Sequence, residues 1–315
     1  MKLTTKIITA HMLLLLFLSG CGISLTDVPT SEEASYQEAY NEPDLPTIED
    51  TTENIEFSTE DTEFSIEDTE FSTEDTEASM SKLLRTSILP VGTTMYVWGG
   101  GWNEEDTGSG IETVTIGLSP TWAEFAAMQS SGYDQRNTRY QIHNGLDCSG
   151  YIGWLVYNTF HTENGEPGYV CKATKMASTF SSYGWGSYIY AGDVSDFRPG
   201  DICSMKGHVW MCLGKCSDGS VLLVHSSPPG VRICGTELSD GSTSQAISLA
   251  ENIMGTCYPD WYNRYPDCAV PYSYLSSSSK MRWNSSTLSD AETYQGMSAD
   301  EIAETLFTAI SMPDH

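Results

Sequence analysis

One cysteine and two histidines in this chain have the types and spacing of a nucleophile and its base. In Leu146 to Phe160, LDCSGYIGWLVYNTF, Cys148, Ile152, Leu155 and Val156 fall at i, i+4, i+7 and i+8. This spacing predicts a helix over 148–160 with the thiol on its inward face, in the first turn. Unpaired amides and the positive end of the helix dipole at that turn favour thiolate over thiol. His208 opens one apolar run, GHVWM, and His225 closes another, VLLVHS, so a hairpin sets the two imidazoles side by side across its ladder. One imidazole could then deprotonate Cys148 while the other orients it, the logic of a nucleophile triad. Cys203, His208, Cys212 and Cys216 are also zinc-ligand types within fourteen positions, but they lack a paired C-x2-C spacing.

The elements that position these groups read as a mixed α+β domain. Helices are predicted at 120–128, 148–160 and 174–183, and strands at 202–205, 209–213, 221–226 and 231–234. Ser217-Asp218-Gly219 supplies a hairpin turn, and a last helix spans 297–310, with Ser298 and Glu301 at capping-box spacing. Helices followed by a meander of strands place the nucleophile helix on an antiparallel sheet.

Several blocks, in order, resemble one family. DCSG at 147–150, RPGDI at 198–202, GHVWMCLG at 207–214 and VHSSPPGVRI at 224–233 are similar to the ordered blocks of the NlpC family of papain-like cell-wall cysteine peptidases. YVWGGG at 96–101 resembles the block that precedes its nucleophile, so the likeness covers roughly 93–235. The resemblance implies Cys148 as nucleophile, His208 as general base and His225 as the orienting third member. It also implies Tyr96, Asp147 and Ser149 lining the substrate subsites or helping to hold the oxyanion. The activity implied is hydrolysis of an amide or isopeptide bond in peptidoglycan stem peptides, commonly between D-glutamate and the diamino acid after it, through an acyl-enzyme and with no cofactor or metal. An amidase or acyltransferase on the same scaffold, or an inactive lipoprotein that binds wall polymer, are the competing readings. Two features depart from the family: the insertion at 102–145, with Trp102, Trp122, Tyr133, Arg136, Arg139 and Tyr140, and a long hairpin between His208 and His225. The insertion either shapes the substrate groove or forms a surface loop with its own small core.

The N-terminal part has a different composition. Lys2 and Lys6 precede the apolar run 12–18, which is shorter than the about 20 residues a membrane span needs. Residues 1–20 therefore read as an export signal. Leu18-Ser19-Gly20-Cys21 resembles a bacterial lipobox, which implies a mature N-terminus lipidated at Cys21 and a protein anchored to the membrane, outside the cytoplasm and facing the wall. Of the formal charge of −28, residues 22–80 hold 19 acids and no base, including a seven-residue repeat from Glu56 that offers only Phe57, Phe64 and Phe71 as apolar anchors. Such a segment cannot form a coiled-coil seam and reads as a disordered stalk over 21–85. The chain from Ser81 carries 24 acids against 13 bases, so a nucleic-acid partner is not expected. The peptidase domain is expected at 86–256, with a C-terminal extension of unassigned role at 257–315. Outside the cytoplasm disulfides are permitted, and Cys257–Cys268 is a plausible local bridge.

Overall fold

The computed structural model describes residues 78–160 and 167–307. The expected export signal at 1–20, the expected lipidation site Cys21 and most of the acidic segment lie outside the described residues. Helix α1 (Met80–Ile88) starts at Ser79, whose side chain accepts from the Lys82 amide. Its Met80, Leu83 and Leu84, at i, i+3 and i+4, are fully buried, and the Tyr151 hydroxyl donates to the Ser87 carbonyl. This corrects the expected boundary at 85/86, because the apolar stripe that seals the core begins at Met80.

After α2 (Pro120–Ala127), α3 (Cys148–Phe160) forms the centre of the domain. Every residue from Cys148 to Thr159 is buried, which explains why the helix is apolar on all sides. Side chains such as Tyr151, Ile152, Trp154 and Leu155 each contribute roughly 1.5–3 kcal/mol of burial. Helix α4 (Met176–Ser182) precedes β1 (Gly186–Ile189), β2 (Ile202–Met205), β3 (His208–Lys215), β4 (Val221–Ser227) and β5 (Gly230–Thr236). The described residues end with α5 (Gln245–Cys257), α6 (Pro259–Arg264), β6 (Ala269–Val270), α7 (Ser273–Ser277), β7 (Ser279–Trp283) and α8 (Ala299–Phe307). Glu301 accepts from the Ser298 amide at 2.8 Å and the Ser298 hydroxyl accepts from the Glu301 amide at 3.3 Å, the reciprocal bonds of a capping box.

Among the described residues the seven strands form one sheet, ordered β1-β7-β2-β3-β4-β5-β6, antiparallel except at β5–β6. Met281 of β7 pairs with Tyr188 on one side and Ile202 on the other. The expected division at 257 is therefore corrected: residues beyond it fill the gap between β1 and β2. A charged lock holds β7 there. Arg282 donates to Asp201 and Asp196 at 2.6 Å each, and Asp201 is 1% exposed. The buried Lys280 ammonium donates to the Asp193 and Asp196 carbonyls at 2.7 Å and sits 3.8 Å from the centre of the Phe197 ring. A buried ion needs such partners to offset its lost hydration.

Strand alternation gives the sheet two cores. Val209, Met211, Leu213, Leu222 and Val224 face inward, toward Cys148, Ile152 and Leu155 of α3. On the outer face Cys203, Trp210, Cys212, Val221, Leu223 and Cys234 pack with Phe197 and Leu275.

Candidate active site

Helix α3 begins where it does because Asp147 caps it. Its Oδ1 accepts from the Gly150 amide at 2.7 Å and the Ser149 hydroxyl at 2.8 Å. Ser149 Oγ in turn accepts from the Trp102 indole at 3.1 Å, and the Asp147 amide donates to the Gly100 carbonyl at 2.9 Å. A Cβ on Gly150 would lie 2.0 Å from the Gly100 oxygen, and one on Gly101 2.6 Å from the Gly150 Cα. The glycines of YVWGGG and DCSG thus let one backbone lie directly against another. Burial pushes the Asp147 carboxyl up to about 6, opposed by hydrogen bonds from Gly150, Ser149 and Gly99.

Cys148 is 6% exposed. Burial first, and then the Asp147 charge, push its thiol up to about 12, against the amides of Val209, Ser149 and Cys148 itself. The expected preference for thiolate is therefore overridden in the closed site, because lost hydration outweighs the helix-start amides. The thiol rests protonated.

The two histidines meet as follows. Met211 lies opposite Val224, and this register sets His225 opposite Trp210 and one diagonal step from His208. The pair is diagonal rather than directly side by side, with His208 Nε2 3.0 Å from His225 Nδ1 and ring centres 5.2 Å apart. Tyr274 of α7 stands against both rings, at 5.5 Å and 5.9 Å. Burial and then the Arg232 charge push His208 down to about 4. His225 is fully buried and is pushed further down by burial, then by His208 and Arg232. Both imidazoles are neutral at pH 7.

Alternation puts the histidines on the outer face, with Trp210 and Leu223, whereas α3 packs on the inner face. The two sides converge at the start of β3, where His208 is the first residue and the amide of the next, Val209, reaches the Cys148 sulfur. The hydrogen bond His208 makes leads to His225 through Nε2.

Tyr96 is buried in a connecting segment. Met95 bridges Gly145 and Gly230, the Tyr96 amide donates to the Pro229 carbonyl at 2.8 Å, and the Tyr133 hydroxyl donates to the Tyr96 carbonyl at 2.7 Å. This segment ties the loop before Cys148 to the β4–β5 turn. The insertion packs on α3: Trp122 meets Trp154 edge-on at 6.0 Å, and the Trp154 indole donates to the Gly117 carbonyl at 2.9 Å. It also walls a cavity of about 450 Å3 lined by Trp102, Asn103, Glu104, Asp106, Tyr140 and His143. The Arg139 guanidinium lies over the exposed rings of Trp98 and Tyr140, on the same side of the insertion. The insertion thus packs Trp122, Phe125 and Ala126 into the main core and walls a cavity whose lining does not include Cys148.

Cys203 and Cys212 belong to the outer core and Cys216 to the inner one, so the four zinc-ligand types around His208 do not converge. Cys257 and Cys268 are free, as are the other six cysteines among the described residues, which corrects the expected bridge. Cys257 ends α5 at a half-exposed position, whereas Cys268 is buried beside β6. Arg232, Cys234 and Tyr274, all close to the histidines, were not singled out by sequence. The alternation of Arg232 and Cys234 along β5, opposite His225, is the one local signal that could have found the first two. Among the described residues no helix is long and apolar enough to cross a membrane. Comparison with protein-family models, curated proteins and solved structures returned no match to the chain.

Proposed function

We propose that the chain is a papain-like cysteine peptidase of the NlpC kind, hydrolysing an amide or isopeptide bond in peptidoglycan stem peptides, with D-glutamyl to diamino acid as the preferred link. The observation that carries this reading is the 3.0 Å contact between His208 Nε2 and His225 Nδ1 at the strand end whose next amide meets the Cys148 thiol. The ordered blocks from Tyr96 to Ile233 support it, as does the export signal before them.

In this mechanism the resting pair is neutral. As a substrate carbonyl arrives, the Cys148 proton passes to His208 Nδ1 and the sulfur attacks the carbonyl carbon. Asp147 occupies the amides of Gly150, Ser149 and Gly99, so the Cys148 amide is the helix-start donor for the oxyanion. His208 returns the proton to the leaving amine, and water then releases the acyl group from Cys148. The acidic lining of the neighbouring cavity, with Glu104 and Asp106, suits a peptide that carries a free amine. An anchor at Cys21 and the acidic segment after it would hold the domain outside the cytoplasm, against the wall.

Digestion of purified peptidoglycan by the chain from residue 78, followed by mass spectrometry of the products, tests the reading. Wild type is expected to cut stem peptides, and Cys148→Ala to lose at least about 10^3-fold of that rate. Stem peptides left intact on several wall chemistries, or cut equally by Cys148→Ala, would end it. Products carrying a new acyl acceptor instead of water would reassign the enzyme as a transferase.

A further inference from the structure

The hydrogen bonds of His225 do not stop at His208. Its other ring nitrogen, Nε2, lies 3.5 Å from the sulfur of Cys234, and the same sulfur lies 3.4 Å from Arg232 Nε. The Arg232 guanidinium is fixed in turn by the carbonyls of Ser227 (3.1 Å) and Pro228. Cys234 and His225 are fully buried and Arg232 is 6% exposed, so little water competes for these bonds. His225 stands opposite Arg232 on β5, and Cys234 follows two residues on, on the same face.

The chain of contacts has a definite proton logic. Arg232 can only donate, so the Cys234 sulfur accepts there. The contact between His208 Nε2 and His225 Nδ1 holds a single proton when both rings are neutral. If Cys234 also accepts from His225, the His225 proton sits on Nε2 and its Nδ1 accepts from His208 Nε2. His208 Nδ1 then carries a lone pair, which in the triad reading is the acceptor for the Cys148 proton. If Cys234 instead donated to His225, the order would reverse along the chain, and His208 Nδ1 would carry a proton and could take none from Cys148. The tautomer of a histidine is set by the bond its other nitrogen makes.

We infer that Cys234, held by Arg232, is a positioning residue that acts through His225 to keep His208 Nδ1 free to accept the Cys148 proton. The inference rests on the triad reading above but not on the identity of the substrate. It extends the relay to a fourth member and gives a role to one buried thiol.

Two readouts test it without any wall polymer. The first is the rate of iodoacetamide alkylation at Cys148, followed by mass spectrometry of the peptide that contains it, across pH 6 to 9. The second is the two-bond proton–nitrogen spectrum of histidine-labelled protein, which reports the tautomer of each ring. In Cys234→Ala the alkylation rate near neutral pH is expected to fall roughly tenfold or more, with His225 moving toward the Nδ1-protonated form. Cys234→Ser, which keeps an acceptor in place, should stay within about threefold of wild type. Cys212→Ala, an equally buried thiol on the same face without a bond to either histidine, should leave both readouts unchanged and controls for damage to the outer core. The relay is overturned if Cys234→Ala matches wild type in rate and tautomer. It is equally overturned if Cys234→Ala and Cys234→Ser both slow alkylation with the tautomers unmoved, since that pattern reports packing alone. A wall digest that fails leaves these outcomes standing, and a failure here leaves the digest standing.

Discussion

The two faces of the sheet do different work. The inner face is broad and aliphatic, carries α1, α3 and α5, and buries Trp122, Trp154 and Trp261 almost completely. The outer face is small and carries the polar groups: His208, His225, Cys234, Arg232, and the lock of Arg282 on Asp201. Cys148 comes from the first, and His208 and His225, its proposed base and orienting residue, from the second. Separating them this way lets the large core hold the thiol rigidly while the hydrogen-bond chain from His208 to Arg232 is built where few aliphatic side chains must be displaced. The two faces come together at the start of β3, where the amide of Val209, the residue after His208, reaches the Cys148 sulfur.

That contrast can be broken by experiment. On the inner face, Trp154→Ala should cost about 3–5 kcal/mol, read as a fall in the urea midpoint, because it opens a cavity beside Trp122 and frees the Gly117 carbonyl. Alkylation of Cys148 in the fraction that stays folded should barely change. The opposite outcome, normal stability with a slow thiol, would show that the inner face tunes chemistry directly.

On the outer face, Arg282→Ala strands the Asp201 carboxylate in the core and should cost about 3 kcal/mol. If urea denaturation finds less than about 1 kcal/mol, β7 is held by its ladder alone and the lock is incidental. At the junction, Asp147→Ala removes the cap of α3 and should cost about 1 kcal/mol, with a larger effect on Cys148 alkylation than Trp154→Ala has.

The smallest effect is a slope. The unfolded chain protonates His208 near the ordinary 6.5, and the folded one only near 4, so the unfolded state binds the extra proton between those values. Stability due to this group is therefore lost as pH falls from about 6.5 toward 4. Asp147, raised from 3.8 to about 6, works against this, since its stabilising contribution is lost as pH rises through that window. Comparing wild type with His208→Gln isolates the first term. The wild type should lose stability more steeply on acidification, and parallel curves from thermal melts at pH 4 to 7 would rule the depressed histidine out.

Local patterns were legible where the chain makes its own case. The helix expected at 148–160 is α3 to the residue, the strand at 202–205 is β2, and the capping box at Ser298 and Glu301 is formed. Each rests on spacing or caps within a few residues. Helix α1 escaped notice because nine residues with one apolar stripe followed a long acidic segment. β1 and β7 escaped it because GSYI and SKMRW are too short for alternation to stand out, and their partners lie about 95 residues apart in the chain.

The sequence by itself determined that Cys148 opens a helix and that His208 and His225 share a hairpin. These follow from period and turn chemistry, which act over short distances. Only the tertiary structure decided the charge state of the thiol, because burial depends on α3, β3 and the insertion together. It alone decided that a segment beyond residue 257 completes the sheet, since strand pairing is chosen by long-range fit. It alone joined Cys234 to the histidines, because a hydrogen bond across β4 and β5 exists only once their register is set.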